Sequence, residues 1–292
     1  MKTKLNYALL MTSLSLGLAA NITHAESTKK APIVKVSAEH AHKTIHWGYD
    51  GAGSPKAWPT LKTEYVLCGS GQRQSPVDVY SSKFANLFPV QFNYRDVVLQ
   101  PLNNGHTLQA NYTDTVTTKN SVIIGGTSYP IASNTKKYSS SLMLGDVPYE
   151  LLQFHYHAPS EHALNGQHYA MEVDLVHRNA DGNIAIVGVF LKKGTHNKVL
   201  QNVLDNVSVT INQPRIIQEL LINATDLLPN KRDYFYYNGS LTTPPCTENV
   251  NWMVMKNPIE VSEKQVAHFI KLIGNNARSL QPLNWREPLG SL

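Results

Sequence analysis

The chain has 292 residues, 42% hydrophobic and 16% charged, so it has the ordinary polarity of a globular protein and can bury a large core in one or two domains. Its formal charge is +5 with a pI near 9.0. Basic residues never exceed pairs (Lys29-Lys30, Lys136-Lys137, Lys192-Lys193, Lys231-Arg232), which excludes a nucleic-acid-binding stripe.

Residues 1–25 read as a secretory signal: Lys2 and Lys4, an apolar run over 7–20, then Thr23-His24-Ala25 as a small-x-small cleavage site before Glu26. The run is too short to span a bilayer, so an uncleaved anchor is the rival and no membrane span is expected after cleavage. Cleavage would remove two lysines and no acid, leaving +3. Residues 26–45 are polar and lysine-rich, a flexible leader, and 46–292 contain no second linker or repeat. Runs rich in β-formers predict strands over 90–94, 107–110, 121–124, 149–156, 171–177, 184–191, 233–237 and 250–255. Helices are predicted over 198–205, 214–221 and 262–274, the last with a Ser262/Gln265 capping box and Gly274 as its stop. This pattern implies a mainly β (α+β) single domain built on one large, mostly antiparallel twisted sheet with a few short helices.

The predicted strand that ends Gln153-Phe-His-Tyr-His157 carries the strongest chemical signal. Side chains two apart share a face, so His155 and His157 can converge on one metal ion while Phe154 and Tyr156 pack on the other side. Two ligands do not hold a catalytic metal, and the alternative is a pair of histidines satisfying buried hydrogen bonds. In an exported chain the two cysteines, Cys68 and Cys246, are expected to be joined.

Several separate blocks, in order, resemble the α-class carbonic anhydrases: Gln74-Ser-Pro-Val-Asp78, Asn103-Asn-Gly-His106, Gln153-Phe-His-Tyr-His157, Ser160-Glu-His162, Gly239-Ser-Leu-Thr-Thr-Pro-Pro245 and Val250-Asn-Trp252. The likeness runs from His46-Trp-Gly-Tyr49 to the C-terminus. It implies a twisted sheet of about ten strands with zinc at the bottom of a conical cleft. His155 and His157 fall on the first two zinc ligands, and Gln153 on the acceptor that fixes one imidazole's tautomer. Thr242 falls on the hydroxyl that orients the attacking hydroxide, and Glu161 on the carboxylate that accepts from it. His106 matches the proton shuttle, for which an ordinary imidazole pKa near 6.5 is suited. Val176, Ile186, Leu241, Thr243, Val250 and Trp252 match the pocket where carbon dioxide rests. Cys68 and Cys246 match the disulfide of exported members, which would brace the loop carrying Thr242.

One position departs from the family. The third ligand should be a histidine two residues after a glutamate, and Glu172-Val-Asp-Leu-Val-His177 puts Asp174 there. An aspartate oxygen is as many bonds from Cα as an imidazole Nδ1, so it can occupy nearly the same place, and zinc accepts carboxylate oxygen. Glu172, the carboxylate that would accept the ring's far N–H, is left with no donor from Asp174 and is expected to be protonated or hydrated. An anionic ligand also makes zinc-water less acidic. The expectation is zinc-dependent reversible hydration of carbon dioxide to bicarbonate and a proton, impaired by Asp174. The alternative is a carbonic-anhydrase-like binding protein with a vacant or weak metal site. The periplasm is the first choice of location and secretion the second, and a homodimer is left open.

Overall fold

The computed structural model describes residues 45–80, 83–88, 90–112, 121–124, 127–130 and 140–292, with backbone alone for 121–124 and 127–130. The signal expected at 1–25 and the part of the expected leader at 26–44 lie outside them. The longest apolar runs form the centre. Met171–Arg178 is buried at all eight positions, and it pairs antiparallel with Ile184–Lys193 on one edge and Val147–His157 on the other. Among the described residues the large sheet has thirteen strands. Its main order is Ile217–Ile222, Val97–Asn103, Leu108–Asn111, Val147–His157, Met171–Arg178, Ile184–Lys193, Glu248–Met255, Tyr234–Ser240, Leu289–Ser291 and Phe84–Ala85.

Most neighbours are antiparallel as expected, but the sheet is mixed. Ile184–Lys193 runs parallel to both Glu248–Met255 and Ile259–Val261, and Leu289–Ser291 runs parallel to Phe84–Ala85. A parallel neighbour needs a long crossover, which the segment between Lys193 and Glu248, with its helix Lys198–Asn206, supplies. That helix begins where the Asn197 side chain accepts from the Leu200 N–H. The helix Glu263–Ile273 begins at the predicted capping box and stops at Gly274, whose φ of 86° glycine adopts without strain. The helix expected over 214–221 is corrected: Ile217–Ile222 is an edge strand against Val97–Asn103. Apolar residues at 216, 217, 220 and 221 fit helical spacing, yet the β-branched isoleucines and an open sheet edge decide for a strand. None of the described helices is long and apolar enough to cross a membrane.

An irregularity in the ligand strand sorts the two faces of the sheet. Gln153 pairs with Val176 and Leu151 with His177, so Leu152 is an extra residue that reverses the in-out alternation. Leu151, Phe154, Tyr156, Val173 and Leu175 enter one core with Leu200, Val203 and Phe269 from the helices. Leu152, Val176, Ile186 and Trp252 belong to a second core on the other face. His155, His157 and Asp174 share this second face by the pleat.

Candidate metal centre

Strand register brings the three donors together. Asp174 lies directly opposite His155, and Glu172 opposite His157. Asp174 Oδ2 is 3.9 Å from His155 Nε2 and 3.6 Å from His157 Nε2. All three donor atoms fall within 4.8 Å of one another. The far nitrogens are committed: His155 Nδ1 donates to Gln153 Oε1 at 3.0 Å, and His157 Nδ1 to the Asn276 carbonyl at 2.7 Å. Both Nε2 lone pairs therefore point inward. Burial, and then His157, holds the His155 pKa well below 6.5, so its imidazole is neutral at physiological pH.

The donor set fits zinc. Tetrahedral zinc with bonds of about 2.0–2.1 Å sets its donors about 3.3 Å apart, so the aspartate–histidine separations of 3.6 and 3.9 Å need close by roughly 0.3 and 0.6 Å. His157 Nε2 and both Asp174 oxygens are buried without a hydrogen-bond partner, a cost that a bound cation removes. Among the described residues no other group of three His, Cys, Asp or Glu side chains converges in this way.

The expectation for Glu172 is corrected. It has donors, both from His162: the backbone N–H at 2.8 Å and Nδ1 at 2.7 Å. His162 Nε2 meets the Tyr237 hydroxyl at 2.6 Å, which in turn meets Ser75 Oγ at 2.8 Å. Burial pushes the Glu172 carboxyl up, but the attraction and hydrogen bonds of His162 outweigh it and hold the pKa below the usual range. Burial, then the charges of Glu172 and Glu161, push Asp174 well above its ordinary value. Of the two carboxyls, Asp174 holds its proton more tightly and Glu172 ionises more readily, the reverse of the order expected. Gly188 pairs with Asp174 on the other edge, where a Cβ would lie 2.8 Å from Glu172 Oε1 and 3.3 Å from Asp174 Oδ1. Only a glycine leaves both carboxylates in place.

Thr242 and Thr243 enter from the loop after Tyr234–Ser240 and line the same cleft. Glu161 is fully buried, with Oε1 accepting from the Arg278 N–H at 2.9 Å and Oε2 3.4 Å from His157 Nε2. Burial raises its pKa, against the pull of His157, the Arg278 N–H and the Thr242 hydroxyl. Cys68 and Cys246 are joined with Cα atoms 5.0 Å apart, and Cys246 N–H donates to Thr243 O, which ties the disulfide to the threonine loop. Val176, Ile186 and Leu241 line the cleft, whereas Val250 and Trp252 do not. These two are buried in the apolar cluster that the lining residues also join, with Trp252 Nε1 donating to Ser240 O.

His106 lines the cleft but does not have the unperturbed pKa assumed for a shuttle. Its ring stacks on Trp47 at 3.6 Å between centroids and beside His46 at 5.1 Å. Burial, then His46, lowers its pKa to about 4. His177, three residues after Asp174 and so of opposite strand parity, bonds Tyr94 in the other core. Six residues of the site escaped the sequence reading: Tyr49, Asn104, Thr107 and Gln109 on the cleft wall, Asn276 behind His157, and Arg278 behind Glu161. Tyr49 and Asn104 stand inside quoted blocks, so a signal existed for them; Asn276 and Arg278 had none.

A mixed sheet with two imidazoles and a carboxylate converging at the foot of a half-apolar cleft defines a zinc-enzyme scaffold, and sequence comparison names its kind. Residues 53–289 match the family described as eukaryotic-type carbonic anhydrase, and the chain belongs to it. It is 36% identical over 249 residues to a carbonic anhydrase of Nostoc sp., covering 84% of this chain and 85% of that one. It is 38% identical over 243 residues to one from Klebsiella pneumoniae, covering 82% and 89%. Its fold is similar to a hyperthermostable carbonic anhydrase from a hydrothermal vent chimney, with a TM-score of 0.72, 37% identity, and 85% and 100% covered. Members of this family use zinc, and the His155, His157, Asp174 group can hold it.

Proposed function

We propose that the chain catalyses the reversible hydration of carbon dioxide to bicarbonate and a proton, with His155, His157 and Asp174 holding zinc and Asp174 limiting the rate. The carrying observation is the convergence of three orphaned or inward-facing donor atoms, 3.6 and 3.9 Å from aspartate to the two histidines, beside Thr242 and an apolar wall. When bound, zinc supplies Lewis-acid activation of water near neutral pH.

The protein's own groups do the rest. Val176, Ile186 and Leu241 offer a neutral, apolar resting place for carbon dioxide. Glu161 is fixed by the Arg278 N–H and is the carboxylate we assign as acceptor for the Thr242 hydroxyl. The threonine oxygen is thereby left as an acceptor, which orients a hydroxyl by its single proton. His106 carries the proton outward, which requires its ring to leave Trp47: stacked, with a pKa of about 4, it cannot hold a proton at neutral pH. Exported character is supported by the joined cysteines, and we assign residues 1–25 as a removed signal, 26–45 as a leader and the periplasm as the destination.

Asp174 carries one negative charge where the family's histidine carries none, which weakens activation of water. Asp174→His should therefore raise hydration at neutral pH and move the pH midpoint of the rate downward, the new ring sharing Glu172 with His162. A revertant that binds zinc fully yet hydrates no faster would refute the assignment of Asp174. The second reading, a binding protein with a vacant metal site, is favoured by the burial of both Asp174 oxygens beside two other carboxylates. Zinc content per chain after purification without added metal separates the two: about one ion supports the enzyme, none even in excess zinc supports the binding protein.

A further inference from the structure

Asn276 follows the helix Glu263–Ile273 in irregular backbone, yet it is completely buried and every polar group it has is used. Its backbone N–H donates to Ala158 O at 3.2 Å, and its carbonyl accepts from His157 Nδ1 at 2.7 Å. Its side-chain Oδ1 accepts from the Ala158 N–H at 2.9 Å. Its Nδ2 donates to Tyr156 O at 2.9 Å and to His106 O at 3.1 Å. One amide therefore joins the residues on both sides of a metal ligand to the backbone of the candidate proton carrier.

The backbone contact to His157 could be made by any residue at this position. What the side chain adds is different, because only an amide of this length supplies one acceptor and two donors from a single planar group. The His106 segment has two further ties, since Asn104 Oδ1 accepts from the His106 and Thr107 N–H groups and the Thr107 hydroxyl donates to Tyr156 O. Tyr156 O is thus a shared acceptor for Thr107 and Asn276, and the His106 and His157 segments meet across it.

We propose that the Asn276 side chain is a positioning residue that locks the His106 segment and the end of the ligand strand, residues 156–158, into one rigid unit. The His106 ring can then swing on its own side-chain torsions while its backbone stays at a fixed distance from the metal donors. The proposal rests on the reading of His157 as a ligand and His106 as the proton carrier.

The test compares the parent with Asn276→Ala and Asn276→Asp, using amide hydrogen exchange in chelator and zinc competition against a chromophoric chelator. Met255→Ala, in the strand Glu248–Met255 three strands away from Val147–His157, serves as a destabilised control outside the site. Alanine should speed exchange about tenfold in both 104–107 and 156–158, and should weaken zinc binding by about 10–100-fold. Aspartate keeps the Ala158 bond and loses both carbonyl contacts, so it should loosen 104–107 as much as alanine does while protecting Ala158, which keeps the proposal testable if alanine fails to fold. The control should leave exchange at 104–107 and zinc affinity unchanged. Loosening of only one segment, or zinc affinity within about twofold of the parent, overturns the proposal. A parent that binds no zinc defeats the metal reading instead, and the exchange result still decides whether the two segments are coupled.

Discussion

Replacing Asp174 by Asn should stabilise the metal-free protein and abolish its response to zinc. In the folded chain both Asp174 oxygens are buried without a partner, and burial with Glu172 and Glu161 raises the pKa well above the ordinary value. Below about pH 3.9 folded and unfolded chains both hold the proton, so Asp174 costs nothing. As pH rises past that point the unfolded chain releases its proton first, and stability is lost until the folded-state pKa is reached. The loss grows by about 1.4 kcal/mol for each pH unit that separates the unfolded and folded pKa values. Asparagine has the same shape and does not titrate. In chelator at pH 7 the variant should therefore be more stable, by about the 1–3 kcal/mol that an unsatisfied buried polar group costs, or roughly 2–12 °C in midpoint, and the difference should shrink towards pH 4. Urea unfolding at the two pH values reads the difference. Free zinc at a hundredfold excess over Kd should add about 2.7 kcal/mol to the parent and nothing to the variant. A variant less stable than the parent in chelator at pH 7 would refute this reasoning, because Asp174 would then be satisfied by the protein itself.

Other consequences are as direct. Tyr156 has a buried hydroxyl with no partner, so Tyr156→Phe should raise stability by about 1 kcal/mol in chemical denaturation; a loss would mean that the hydroxyl is hydrogen-bonded. The His106 imidazole should titrate near 4 by NMR, and since the unfolded ring titrates near 6.5, stability from this residue should fall as pH drops between the two. Trp47→Ala should move that midpoint upward, and an unmoved value would show that stacking is not its cause. Reduction of Cys68–Cys246, 178 residues apart, should cost up to about 5 kcal/mol and loosen exchange around Thr242; retained stability would place the constraint elsewhere.

The parity argument for His155 and His157 was legible because a strand has period two, and Asp174 followed because the flanking block fixes its register. Glu172 was misjudged because its donor, His162, sits on an irregular segment ten residues away whose path no periodicity encodes. The His106 ring is covered by Trp47, 59 positions earlier, and stacking between such distant rings leaves no local trace. The strands themselves were largely visible in composition, but partner and direction were not, which is why the parallel pairs went unseen. At 214–221 apolar spacing suited either structure, and an open sheet edge settled it. Asn276 and Arg278 act through chain segments more than a hundred residues apart, beyond the reach of any local motif.

The pairing of His155 with Asp174 across adjacent antiparallel strands also bears on the order in which the molecule assembles. Loop closure costs more entropy as the enclosed loop lengthens, and folding rates fall as contacts become less local. The ligand strands Val147–His157 and Met171–Arg178 need only the short connection between them to close, whereas the contacts of Asn276, Arg278 and Cys246 must wait for the chain's distant end. The metal donors and Gln153 are the locally assembled part of the site, and Asn276, Arg278 and Cys246 arrive last. Zinc present during folding should thus capture a loose form of the trio and speed refolding, an effect that stopped-flow refolding with and without the metal would measure. Competence for chemistry, by contrast, is acquired only when the C-terminal third has docked.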